Sequence, residues 1–191
     1  MAEDDILFDA TGNGEIDRLE ALISSDGWAR GEKRFGLSLD MQGEDRGGLT
    51  ALSIGAWRGK YDAMVWLLKH GAKPDAPCKN GWTPLMVAAN RGHQRIMRLL
   101  LESGADANAR SKHTDMTALM FAAGSGHVAA VRLLMQHGAD ANARNSQSNR
   151  AKELAEAKNH SNVLWWLENP RADADKIDGP SSAGDVVLDE L

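Results

Sequence analysis

Apolar residues come in short paired bursts. In the clearest stretch, Leu85, Val87, Ala88 and Ala89 follow Thr83-Pro84, and the burst stops at Gly92. A second burst, Ile96, Leu99 and Leu100, has the i, i+3, i+4 spacing of one helix face and stops at Gly104. Thr is suited to cap a helix start, Pro to the first helical position, and Gly to the left-handed residue that ends a helix. The pattern therefore predicts two short helices separated by a tight turn. The polar run Ala105-Asp106-Ala107-Asn108-Ala109-Arg110 then leads to a turn of the kind seen at Asn80-Gly81.

The same pattern recurs along the chain. Gly71-Ala72, Gly104-Ala105 and Gly138-Ala139 repeat at spacings of 33 and 34, as do Thr50, Thr83 and Thr117, and Gly59, Gly92 and Gly126. The extra residue falls within Ser111-Lys112-His113-Thr114-Asp115-Met116, which reads as a loop tip. Helices this short are marginal alone. Each hides its apolar stripe against the next unit, so stability accumulates from units and their interfaces along a line.

At this point the residues resemble the ankyrin repeat. Gly81-Trp82-Thr83-Pro84-Leu85-Met86-Val87-Ala88-Ala89-Asn90-Arg91-Gly92-His93, continuing through Leu99-Leu100-Leu101-Glu102-Ser103-Gly104-Ala105-Asp106-Ala107-Asn108, follows the family pattern closely. Met116-Thr117-Ala118-Leu119 to Asn142 repeats it, and Gly48-Leu49-Thr50-Ala51-Leu52 to Gly71-Ala72 precedes it. The resemblance implies an all-α solenoid of helix-turn-helix units joined by β-turn or hairpin loops. Units are expected at about 6–26, 48–77, 78–110, 111–144 and 145–169 within a repeat domain spanning 1–170. The first and last are degenerate capping units, the last with Asn159-His160 in the Gly-His place and Trp165-Trp166 as terminal bulk. Residues 24–47 form an insertion carrying Trp28, Phe35 and Leu37, and 171–191 are expected to be a disordered acidic tail. One departure stands out. The family's His after Leu is Ser53, Met86 and Met120 here, so its hydrogen bonds must be replaced or lost.

Charge is segregated. Residues 1–47 carry 12 acids and 5 bases, residues 48–170 carry 9 and 15, and residues 171–191 carry 6 and 2. A basic middle between acidic ends favours acidic partners or the chain's own ends. No stretch approaches the roughly 18 consecutive apolar residues of a membrane helix. The N-terminus lacks a signal-peptide layout, and the single cysteine, Cys78, can form no internal disulfide. A cytoplasmic location is expected, with the nucleus possible, and the array is expected to be monomeric.

Catalytic constellations are not found. His93, His127 and His160 recur one per unit and do not converge on a metal, while His70 and His137 precede glycines where a helix ends. Cys78, beside Lys79, reads as an exposed free thiol without a base. There is no phosphate loop, and Gly12-Asn13-Gly14 follows no strand. No metal or cofactor and no enzyme activity are expected. Scattered bases without a run, including Arg95, Arg98 and Arg132, read as a solvated face and not as a nucleic-acid surface.

The resemblance also implies where a partner lies. Family partners cross the concave face made by turn tips and first helices. Carried over position by position, that face comprises Arg46, Leu49, Trp57 and Arg58; Lys79, Asn80, Trp82, Asn90 and Arg91; and His113, Thr114, Met116 and Ser125. Two tryptophans, four bases and no acid predict a protein segment with apolar anchors and acidic flanks. Trp82 has an equally good alternative role, packing on a neighbouring turn. Asn108 and Asn142 match the asparagine that some family members carry hydroxylated, whose ordinary role is a turn-stabilising hydrogen bond. The array reads as an interaction module, scaffold or adaptor. The alternative is a stand-alone inhibitory or regulatory subunit blocking a partner enzyme, self-inhibited by docking of Val186-Val187-Leu188.

Overall fold

The structure, a computed structural model, describes residues 3–24, 38–43 and 47–169, with the side chains of residues 3, 4, 23 and 24 left aside. The expectations for Arg46, for most of the 24–47 insertion and for the 171–191 tail lie outside the described residues. Among the described residues ten helices run in order: α1 Glu3–Asn13, α2 Ile16–Ser24, α3 Ala51–Arg58, α4 Tyr61–Lys69, α5 Pro84–Arg91, α6 Gln94–Glu102, α7 Ala118–Gly124, α8 Val128–Gln136, α9 Ala151–Glu156 and α10 Ser161–Glu168. They pair as five hairpins. Odd helices stack in one layer, α1 on α3 on α5 on α7 on α9, and even helices stack behind them from α2 to α10. Among the described residues there is no strand, only an isolated bridge between Gly43 and Leu49.

The repeat spacing has a direct structural counterpart. Thr50, Thr83 and Thr117 are all helix N-caps in extended conformation. Their hydroxyls accept from the backbone N–H of Ser53 (3.2 Å), Met86 (3.4 Å) and Met120 (3.3 Å). The missing family histidine is replaced within the same turn at two units. Thr50 Oγ1 donates to Ser53 Oγ at 3.0 Å, and Thr83 N–H donates to Met86 Sδ at 3.4 Å.

Small residues set the inner layer. Ala51, Ala56, Ala88, Ala89, Ala122 and Ala123 are sealed from solvent, letting adjacent first helices approach closely. Leu52, Leu85 and Leu119, one per unit, fill the space between layers with Met64, Leu67, Met97, Leu100, Leu133 and Leu134. Burying each such side chain contributes about 1.5–3 kcal/mol. The inner-to-outer turns depend on glycine at positive φ. Gly59, Gly92 and Gly126 lie against the rings of His93, His127 and His160 of the following unit. That accounts for the histidine periodicity as unit-to-unit packing, and His127 Nε2 also meets the Asn90 carbonyl at 3.2 Å. His70 Nδ1 meets the Trp66 carbonyl at 2.8 Å near the end of α4.

Hairpin fingers precede α5, α7 and α9. They close through Cys78 N–H to the Trp82 carbonyl (2.9 Å), Ser111 N–H to Met116 (3.0 Å) and Asn145 N–H to Asn149 (2.9 Å). This corrects the expectation of an exposed thiol. Cys78 is buried, as are its repeat equivalents Ser111 and Asn145, because the first finger position points inward beneath the turn.

Candidate functional site

The described members of the predicted set fall in three rows, at the finger roots, at the C-terminal ends of the first helices and at the finger tips. The first row sits at the finger roots. Leu49, Trp82 and Met116 each immediately precede a capping threonine and are half-buried. Trp82 is tilted against Phe121 with ring centroids 4.5 Å apart. Phe121 was missed in the sequence. The signal was available, since Phe121 is the bulky member of a register otherwise held by Ile54 and Val87. Met116 is held in place at both ends, its N–H donating to Ser111 Oγ at 3.0 Å and its sulfur accepting from Asn145 Nδ2 at 3.4 Å. These contacts give Trp82 and Met116 structural partners and leave only part of each side chain for a ligand.

The second row lies where α3, α5 and α7 end. Trp57 is 43% exposed and is the one large hydrophobic so exposed among the described residues. The Arg91 guanidinium lies over it, 3.6 Å from the ring centroid. This is within the range of a cation–π contact, worth about 0.5–1 kcal/mol at an exposed site. Arg58, next to Trp57, donates to the Gly12 carbonyl and to Asn13 Oδ1 at 3.3 Å each. Neither arginine has an ion pair with another described residue. Further along, Asn90 Oδ1 accepts from Ser125 Oγ at 3.0 Å, which ties the third unit to the second and uses polar atoms otherwise open to a partner.

The third row is the tips. Lys79, Asn80, His113 and Thr114 are exposed. Lys79 N–H donates to the Gly48 carbonyl at 2.9 Å, fixing one finger on the previous one. Thr114 Oγ1 pairs with Ser111 Oγ at 2.8 Å, and its carbonyl accepts from Ser146 N–H at 3.0 Å. The acid of this loop, Asp115, is engaged with Arg110 at 3.5 Å. The described members of the set therefore comprise cations, one exposed indole and no acid. Chemically they can hold a chain with carboxylates and an apolar group. Among the described residues no cluster of His, Cys, Asp and Glu could hold a metal ion. No helix described is long and apolar enough to cross a membrane.

Away from these rows, the asparagine positions differ from each other. Asn108 uses both ends of its amide across a unit boundary. Nδ2 donates to the Gly138 carbonyl at 3.0 Å, and Oδ1 accepts from Asp140 N–H at 2.8 Å. Asn142 is exposed, and its own N–H donates to Asp140 Oδ1 at 2.8 Å.

Comparison with known proteins agrees with this architecture. The family model for ankyrin repeats, in three copies, matches residues 7–111, 52–145 and 110–178. The Drosophila melanogaster ankyrin repeat and KH domain-containing protein mask is 40% identical over 60 residues, covering 31% of this chain and 2% of that protein. An ankyrin repeat-containing protein of Schizosaccharomyces pombe is 37% identical over 59 residues, 31% of this chain and 28% of that one. The mouse B-cell lymphoma 3 protein homolog is 37% identical over 73 residues, 38% and 16% respectively. The matched segment thus spans less than a third of each of these relatives.

Proposed function

This chain belongs to the ankyrin-repeat family, whose repeats are in general protein–protein interaction modules, and from that premise we propose that its concave flank holds a segment of a partner protein. The partner segment carries apolar anchors with acidic flanks. The observation that supports this reading most is Trp57 with Arg91 laid over it. An exposed indole lacks the burial that ordinarily stabilises one, and Trp and Arg are the side chains that most often dominate binding energy when a partner covers them. A contact between the two side chains in the free chain reduces the ordering that binding would cost. The lack of ion pairs on Arg58, Lys79 and Arg91 among the described residues supports acidic flanks on the partner. We assign no turnover to the chain.

The test compares wild type with Trp57→Ala/Arg91→Ala in affinity capture with mass spectrometry, followed by calorimetry on the proteins retained by wild type. Both side chains point away from the core, so circular dichroism should be unchanged. The affinity should fall by more than about 1 kcal/mol, roughly fivefold or more. Equal binding by the double variant would remove the concave flank as the site.

A further inference from the structure

We propose that the Trp57–Arg91 seat is occupied in the free chain by the chain's own segment Asp185–Glu190. The proposal rests on the concave-flank reading above and adds an occupant. Three properties point to it. The first is charge. The seat offers Arg91 and Arg58 with no acid paired to either among the described residues, and Asp185, Asp189 and Glu190 bring three carboxylates with no base between them. The second is shape. The Arg91 guanidinium carbon lies 3.6 Å from the indole centroid, and a guanidinium can take a carboxylate through two parallel hydrogen bonds. The indole is left 43% exposed beside it, and Val186-Val187-Leu188 supplies aliphatic side chains between the acids to cover it.

The third is reach. The described chain ends at Asn169, just past α10. From α9 to α3 is three helix-to-helix steps of about 8–10 Å, so about 30 Å. Fifteen residues, 170–184, separate Asn169 from Asp185 and span up to about 50 Å when extended. Tethering of this kind gives an effective concentration in the millimolar range. An interaction as weak as about 1 mM would then fill the seat about half the time. An outside partner must displace the segment, so its apparent affinity falls by the occupied fraction.

The experiment uses the full chain labelled with 5-fluorotryptophan, with the Trp57 resonance assigned by Trp57→Phe. The comparison protein is the full chain with Asp185→Lys, Asp189→Lys and Glu190→Lys together. Occupancy predicts that the Trp57 signal differs between the two proteins while those of Trp66 and Trp82 do not. It also predicts that raising sodium chloride toward 1 M moves the wild-type signal to the variant position, because these charges are screened. A synthetic peptide of residues 183–191 should return the variant signal toward wild type and should barely affect wild type itself. An identical Trp57 signal in the two proteins overturns the proposal. A difference that grows with protein concentration also overturns it, because the occupant would then be a second copy. Partner capture through Trp57 and Arg91 is read separately, so it survives or fails independently of this result.

Discussion

Asp75 shows where one unit boundary is under-bonded, and the defect can be repaired by one atom. At three successive boundaries a side chain accepts from the next unit's backbone. Asp40 Oδ1 accepts from Lys73 N–H at 2.8 Å, Asp75 Oδ2 from Asp106 N–H at 2.9 Å, and Asn108 Oδ1 from Asp140 N–H at 2.8 Å. Asn108 adds a second bond through Nδ2 to the Gly138 carbonyl. Asp75 has an oxygen in that role, and Oδ1 is sealed from solvent with no hydrogen-bond partner. The repeat equivalent of the Gly138 carbonyl that Asn108 meets is the Gly104 carbonyl, the acceptor a donor at position 75 would be expected to reach. Asp75→Asn supplies the missing donor. A net hydrogen bond of about 0.5–1.5 kcal/mol forms, and a buried unsatisfied acceptor costing about 1–3 kcal/mol is removed. Against this stands the loss of the charge that strengthens the Asp106 contact. The net expectation is a gain of about 1–2 kcal/mol. For a chain of this size that is a rise in Tm of roughly 3–6 °C. Urea denaturation followed by circular dichroism measures it, with the slope in urea unchanged. The reciprocal change, Asn108→Asp, should cost a similar amount. If Asp75→Asn is neutral or destabilising, the repeat equivalence of Asp75 and Asn108 is not an equivalence of hydrogen bonding.

Two further outcomes follow from the same geometry. Arg150 holds the Glu153 carboxyl down to about 2, chiefly through its side-chain hydrogen bond. A depressed carboxylate stabilises the fold above its unfolded pKa and loses that contribution as pH falls from about 4.5 to about 2. Glu153→Gln should flatten the acid limb of a pH–stability curve in that window, by less than about 1 kcal/mol because both side chains are about a third exposed, at 33% and 32%. Gly92 has φ +74°, and a Cβ there would lie 2.8–2.9 Å from the His127 ring, whereas at Gly104, with φ +91°, nothing lies within 4 Å. Gly92→Ala should therefore cost about 1–3 kcal/mol in thermal denaturation and more than Gly104→Ala, which meets backbone strain alone.

The array was legible because each unit repeats the same local chemistry. Thr50, Thr83 and Thr117 had to be equivalent helix starts, since a hydroxyl can satisfy the amide three residues on in each unit. Other features depended on distances that spacing does not carry. Whether Met86 would stand in for the family histidine turned on its sulfur reaching the Thr83 amide. Cys78 read as exposed because it neighbours a turn. Its inward direction becomes visible only once the finger is seen to close through its own N–H onto Trp82. The flank residues were placed by register. Their mutual contacts, Arg91 on Trp57, Ser125 on Asn90 and Trp82 on Phe121, each cross a unit boundary, so no reading of a single unit finds them.

The final positions of the first helices separate what the fold requires from what it tolerates. One register holds Trp57, Asn90, Gly124 and Ala157 in successive units, and the next holds Arg58, Arg91, Ser125 and Lys158. The inner positions just before them are nearly uniform, Gly55-Ala56, Ala88-Ala89 and Ala122-Ala123, because adjacent helices must approach there. The outward register carries no such demand, and its side chains range from the indole of Trp57 to none at Gly124. The packing between adjacent helices does not by itself call for a tryptophan at position 57. The bulk and the paired arginines are concentrated at the second and third hairpins, which is why the binding reading is directed to that end of the flank. The fourth and fifth hairpins, with Gly124 and Ala157 in the same register, extend the stack.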